Sequence, residues 1–198
     1  ITDDFSVAYV TARAIADNGG VITPEVVKKA LLDWSEVDKW FTRFAGPTTR
    51  ANLAKLKGEG TSPIAPPFAF EAVNQNAQSS NGAGMKIAPS ALFSNGDIDK
   101  AIQDAITVCT PTHPNDIALA GAAAVAAAVA AAMKEGATLF DVVQAGLYGA
   151  REGARLGAKV HSNAGANMEK RIKLAVYIGM TANTLDEAID EIAAVIGS

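Results

Sequence analysis

A chain of 198 residues can enclose one sizeable core, since a domain of about 150 residues already buries most of the surface its unfolded chain exposes. A net charge of −4 and a pI near 5.2, with no long basic run, exclude tracking of a phosphate backbone, so nucleic acid is not an expected partner. One cysteine, Cys109, excludes an internal disulfide and a cysteine-rich zinc site, and with no basic and apolar leader the chain is read as cytoplasmic.

Thr2-Asp3-Asp4 opens the chain with a hydroxyl and two adjacent carboxylates. Neighbouring carboxylates repel unless a cation lies near, and this oxygen set suits Mg2+. The same triplet also suits a helix N-terminus, where it would cap and favour the dipole. Thr23-Pro24-Glu25 reads as a cap with proline in the first turn, after which Val27, Ala30, Leu31, Trp34, Val37 and Phe41 recur at helical steps. That spacing predicts one amphipathic helix with an aromatic seam, in which Trp34, Trp40 and Phe41 serve packing. Gly46-Pro47-Thr48-Thr49-Arg50 reads as another helix start, in which Thr48 could face the cleft but capping is its first use. Residues 59–82 carry helix breakers and polar stretches, and are read as a loop over a cleft in which Phe68 to Asn76 could form a short helix.

Asn81-Gly82-Ala83-Gly84-Met85-Lys86 follows. Glycines bring backbone amides close to a ligand, and a following helix would aim its N-terminal dipole at an anion; an ordinary glycine-rich helix start fits the same residues. After the punctuation of Asn95-Gly96-Asp97, Ile98, Ala101, Ile102, Ala105 and Ile106 mark a helix. Cys109 has no activating base nearby in sequence and is not read as a nucleophile. In Pro111-Thr112-His113-Pro114, proline suits a first helical turn and places His113 at or near the cap, where the dipole disfavours protonation. The uncharged stretch from Ile117 to Met133 is too rich in alanine to favour a membrane span and is read as a buried central helix. Gly146, Gly149, Gly153 and Gly157 form one helical stripe whose propensity cost points to close approach of a neighbouring helix. His161 receives no role. Thr184-Leu185-Asp186-Glu187 has the form of a capping box, ahead of Ala188, Ile189, Ile192 and Ile196. No sustained alternation of period two occurs, so the chain is read as all-α: one helical domain, a compact orthogonal multi-helix bundle with a long cleft-side loop.

In order and spacing, the motifs at Thr2-Asp3-Asp4, Gly46 to Arg50, Asn81 to Pro89 and Pro111 to Pro114 resemble the ADP-ribosylglycohydrolase family, which includes the dinitrogenase-reductase-activating glycohydrolases. The resemblance extends to about Gly157. It implies a hydrolase that cleaves the glycosidic bond of an ADP-ribose-like substrate at a dinuclear magnesium centre. Thr2, Asp3 and Asp4 would be metal ligands, with Asp3 and Asp4 at the catalytic centre, and Asn81, Gly82, Ala83, Gly84, Met85 and His113 would bind substrate. Phe5 stands where the family usually has Thr or Ser, and Lys86 where Arg is usual. Family members place an acidic catalytic residue before the first metal motif and a Gly-Asp-rich segment near their end, so this chain is expected to be the central part of such a fold.

The partners so implied are an ADP-ribose-like small molecule or an ADP-ribosylated protein, with no nucleic acid and no membrane. Apolar surface left by absent helices would favour self-association. The alternative reading is a non-catalytic helical scaffold that binds an ADP-ribose-like nucleotide or a protein partner.

Overall fold

The structure is a computed structural model and describes residues 2–58, 79–163, 165 and 167–196. Among them lie ten helices and no strand: α1 (Asp3–Asp17), α2 (Pro24–Ser35), α3 (Asp38–Phe44), α4 (Pro47–Lys57), α5 (Ala88–Leu92), α6 (Ile98–Cys109), α7 (Asp116–Ala132), α8 (Leu139–Gly157), α9 (Met168–Thr181) and α10 (Leu185–Ile196). The fold is all-α, as the sequence implies. The loop reading of residues 59–82 and the short helix proposed between Phe68 and Asn76 fall, up to residue 78, outside the described residues.

The centre of the molecule is α7, whose alanines from Ala118 to Ala131 are largely buried. Among the described residues no helix is long and apolar enough to cross a membrane. The glycine stripe of α8 lies along α7. A Cβ at Gly149 would stand 2.3 Å from the Ala123 carbonyl oxygen, and one at Gly153 would stand 2.5 Å from Ala123 Cβ and 2.8 Å from the Leu119 carbonyl oxygen. Hydrogen at these positions lets two backbones meet, which offsets the helical propensity lost to glycine. Asn95 and Gly96, with φ of 54° and 81°, make the left-handed turn ahead of α6, and Asp97 then caps it by accepting from the Lys100 amide at 3.0 Å.

The apolar spacing from Val27 to Phe41 belongs to two helices rather than one. Thr23 caps α2 by accepting from the Val26 amide, but the chain leaves helical geometry at Val37, with φ −90° and ψ 90°. The break folds Phe41 back against Trp34, their rings edge to face at 5.4 Å. Trp34 is buried and donates its indole N–H to Ser6 on α1 at 2.9 Å. Arg50 closes the end of α3 by donating to the carbonyls of Phe41, Thr42 and Ala45.

Helix caps correct two further expectations. At α4 the cap position is Gly46, so neither Thr48 nor Thr49 caps it. At α7 the cap is Asn115, whose side chain accepts from the Ala118 amide at 2.9 Å. Asparagine is among the strongest N-caps, and the helix therefore starts after Pro114 rather than with it. At α10 the Glu187 amide donates to Thr184 as a capping box requires, and the Glu187 carboxylate accepts from the backbone and side chain of Asn183 as well as from the Thr184 amide. A further reciprocal capping box lies at Thr138 and Asp141, at the start of α8.

Candidate functional site

Three motifs far apart in sequence meet at one cavity of about 410 Å3. Asp3 enters from the first turn of α1; Gly46, Pro47, Thr48 and Thr49 enter from the start of α4; Ser80, Asn81, Gly82 and Met85 come from the turn before α5. Thr2 and Asp4 stand beside it: Thr2 is exposed and donates its hydroxyl to the exposed Asp4 carboxylate at 3.1 Å. At α1 the triplet is also a helix start, with Thr2 at the cap position and no side-chain capping bond. Its donors are all oxygen, which suits Mg2+. Among the described residues no three His, Cys, Asp or Glu side chains gather in a group that could hold a metal ion.

The turn at Asn81 to Ile87 divides this cavity from a second one of about 540 Å3, lined on its far side by Ile117, Gly121 and Val125 of α7 and by Met168. Within the turn, the Met85 amide donates to the Asn81 carbonyl at 3.0 Å and the Ile87 amide to the Gly84 carbonyl at 3.2 Å. Among the described residues the Gly82 and Gly84 amides take part in no such backbone bond. The two glycines differ sterically. A Cβ at Gly82 would lie 2.9 Å from His113 Nε2, whereas one at Gly84 would meet nothing closer than 3.7 Å. Only five residues long, α5 brings a weaker dipole than the sequence suggests.

His113 sits behind the turn and is completely buried. Its Nδ1 lies 2.9 Å from the Thr112 hydroxyl and its Nε2 lies 2.9 Å from the Ser80 hydroxyl. The ring therefore touches the turn rather than open cavity. Burial, with the Lys86 charge adding to it, pushes its pKa from 6.5 down to about 3. Neutrality thus comes from desolvation and not from a cap position. Between these values the unfolded chain holds a proton that the folded chain does not, so this group makes stability fall as pH drops from about 6.5 towards about 3. Nuclear magnetic resonance should find the His113 ring neutral across mildly acidic pH; titration near its ordinary value would contradict this burial.

Lys86 is also buried and donates to Thr112, and desolvation holds its pKa below the ordinary lysine value. Cys109 is buried with its thiol directed to the Ala83 carbonyl, and burial raises its pKa, which keeps it inert. The backbone carbonyl of His161 accepts from the Asp116 amide, and Asp116 in turn accepts from Ser162 and Asn163.

The ADP-ribosylglycohydrolase family pattern matches residues 1–197. The chain belongs to that family. It is 28% identical over 199 residues to the uncharacterized protein YegU of Escherichia coli (strain K12), an alignment that covers 100% of this chain and 56% of that protein. The chain therefore spans about half the length of the curated relative it matches. No solved structure matches. The family implies ADP-ribose-related substrates and typically depends on Mg2+. Sequence reasoning missed Ser80, which lacked any motif of its own, and ranked capping above the cleft for Thr48, which lines the cavity; proline at position 47 could have signalled that the cap precedes it.

Proposed function

We propose that this cavity holds an ADP-ribose-like ligand and that the chain forms part of a hydrolase cleaving the glycosidic bond at the ligand's ribose. The convergence of Asp3, the Gly46 to Thr49 segment and the Ser80 to Met85 turn on one cavity carries the reading. In it, the amides of Gly82 and Gly84 face the diphosphate, with Asn81, Ala83 and Met85 completing that wall. Thr2, Asp3 and Asp4 hold Mg2+, which when bound supplies the charge that orients ribose hydroxyls and water. Asp3 is the carboxylate that lines the cavity, which supports reading it as the one nearest the reacting ribose. His113 supports the turn from beneath and is a positioning residue in this arrangement.

Asp3→Asn is expected to remove most of the increase in ADP-ribose affinity that Mg2+ produces, since an amide oxygen lacks the carboxylate's charge. Calorimetry with and without Mg2+ reads this directly, and an undiminished increase would remove Asp3 from the metal site. Hydrolysis of ADP-ribosylated arginine and serine peptides tests the catalytic half. A second reading, a scaffold that binds without cleaving, is favoured by the position of Asp4, tied to Thr2 outside the cavity lining. Binding without turnover would select it.

Apolar side chains also stand exposed on the last two helices, among them Tyr177 and Met180 on α9 and Leu185, Ile189 and Val195 on α10. On this account the chain self-associates through that surface. Light scattering should give a mass that rises with concentration; a constant monomer mass would contradict it.

A further inference from the structure

We propose that a buried hydrogen-bond chain running from Lys86 through Thr112 and His113 fixes the Ser80 hydroxyl as a donor aimed into the cavity, where it binds an anionic oxygen of the ligand. Direction follows from which atoms carry hydrogens. In either protonation state Lys86 Nζ has hydrogens to donate, and it donates to Thr112 Oγ1. The Thr112 hydroxyl then has its own proton to place. Two acceptors lie within reach, His113 Nδ1 at 2.9 Å and the Cys109 carbonyl at 3.4 Å. That carbonyl already accepts the backbone amides of Thr112 at 3.1 Å and His113 at 2.8 Å. The hydroxyl proton therefore goes to Nδ1.

A neutral imidazole has one N–H and one acceptor nitrogen, so accepting at Nδ1 places the ring proton on Nε2. From there it donates to Ser80 Oγ at 2.9 Å. Among the described residues the Ser80 hydroxyl has no other partner, and its proton is left for whatever occupies the space beside it. Ser80 is exposed and lines both cavities. Its neighbour differs. The Ser79 hydroxyl donates to Asn115 Oδ1 at 2.9 Å and accepts from Asn163 Nδ2 at 3.2 Å, so that side chain anchors the segment.

The ligand class follows from what the walls contain. Among the described lining residues of the two cavities there is no lysine or arginine. An anion held there is met by neutral donors, of which the Ser80 hydroxyl is the one whose orientation a buried network sets. Within the proposed function, on which the ligand's identity rests, this oxygen belongs to the diphosphate of ADP-ribose.

The direction of the chain is tested on the ligand-free protein by nitrogen-15 nuclear magnetic resonance of the His113 ring at neutral pH. The expected result is a proton on Nε2 and none on Nδ1; a ring protonated on Nδ1 would turn Ser80 into the donor to histidine and overturn the proposal. The ligand contact is tested by calorimetry with ADP-ribose. Ser80→Ala, which also takes the acceptor from His113 Nε2 and so lowers the thermal midpoint, is expected to weaken binding about tenfold, and Ser80→Thr, which keeps the hydroxyl, to retain most of it. Unchanged affinity in Ser80→Ala would overturn the contact. If the unaltered chain binds no ADP-ribose, the functional reading fails, while the ring tautomer still decides the direction of the network.

Discussion

Gly149→Ala is expected to destabilise the protein by about 2 kcal/mol or more, and Gly146→Ala, three residues earlier on the same stripe, to be neutral or stabilising by up to about 1 kcal/mol. Both substitutions gain helical propensity, so the difference isolates packing. At Gly149 the new methyl would sit 2.3 Å from the Ala123 carbonyl oxygen and 2.6 Å from Ala127 Cβ. The first of these is backbone, so relief requires α7 and α8 to separate along a contact that both helices bury. At Gly146 the nearest atom is the Ala124 carbonyl oxygen at 3.6 Å, an ordinary contact. In a chain of this size the loss at Gly149 corresponds to a fall in thermal midpoint of roughly 4–8 °C. Thermal melts followed by circular dichroism compare the two variants directly. Equal midpoints would mean that α7 and α8 are not in backbone contact at Gly149.

Gly82→Ala is expected to weaken ADP-ribose binding by at least about tenfold, a loss of roughly 1.4 kcal/mol or more, while Gly84→Ala leaves affinity nearly unchanged. The added methyl at position 82 would lie 2.9 Å from His113 Nε2, 3.0 Å from His113 Cε1 and 3.3 Å from Ser80 Oγ. His113 is buried and engaged at both ring nitrogens, so the ring has no room to yield. The turn must move instead, carrying with it the amides and the serine that form the cavity wall. At position 84 the closest atoms are the Asn81 carbonyl oxygen at 3.7 Å and Val125 Cγ2 at 3.8 Å, which leaves space for a methyl. Calorimetry on both variants separates the two positions. Full affinity in Gly82→Ala would detach the turn from ligand binding.

What could be read from residue order was mostly local and periodic. The glycine stripe of α8 and the alanine run of α7 announced each other because small residues at steps of three and four have one efficient use, close helix contact. The break between α2 and α3 was hidden for the opposite reason: Val37 and Phe41 continue the apolar spacing of α2, and only the fold-back of Phe41 onto Trp34 explains the interruption. His113 was legible as a neutral ring but for the wrong cause, since Asn115 takes the cap and burial depresses the pKa. The network behind the cavity wall was not legible at all. Lys86 meets Thr112 across 26 positions, and His113 meets Ser80 across 33, separations at which no local pattern survives. The motifs that mark the cavity could be ordered along the chain, but that Asp3, Gly46 and Gly82 border one space is a tertiary fact.

Titration of this chain with ADP-ribose, in the presence and absence of Mg2+ and followed by calorimetry, tests the central claim most directly. The account predicts saturable binding of one ADP-ribose per chain that tightens when Mg2+ is added. No heat and no thermal shift under either condition would contradict a ligand site built from Asp3, the start of α4 and the glycine turn.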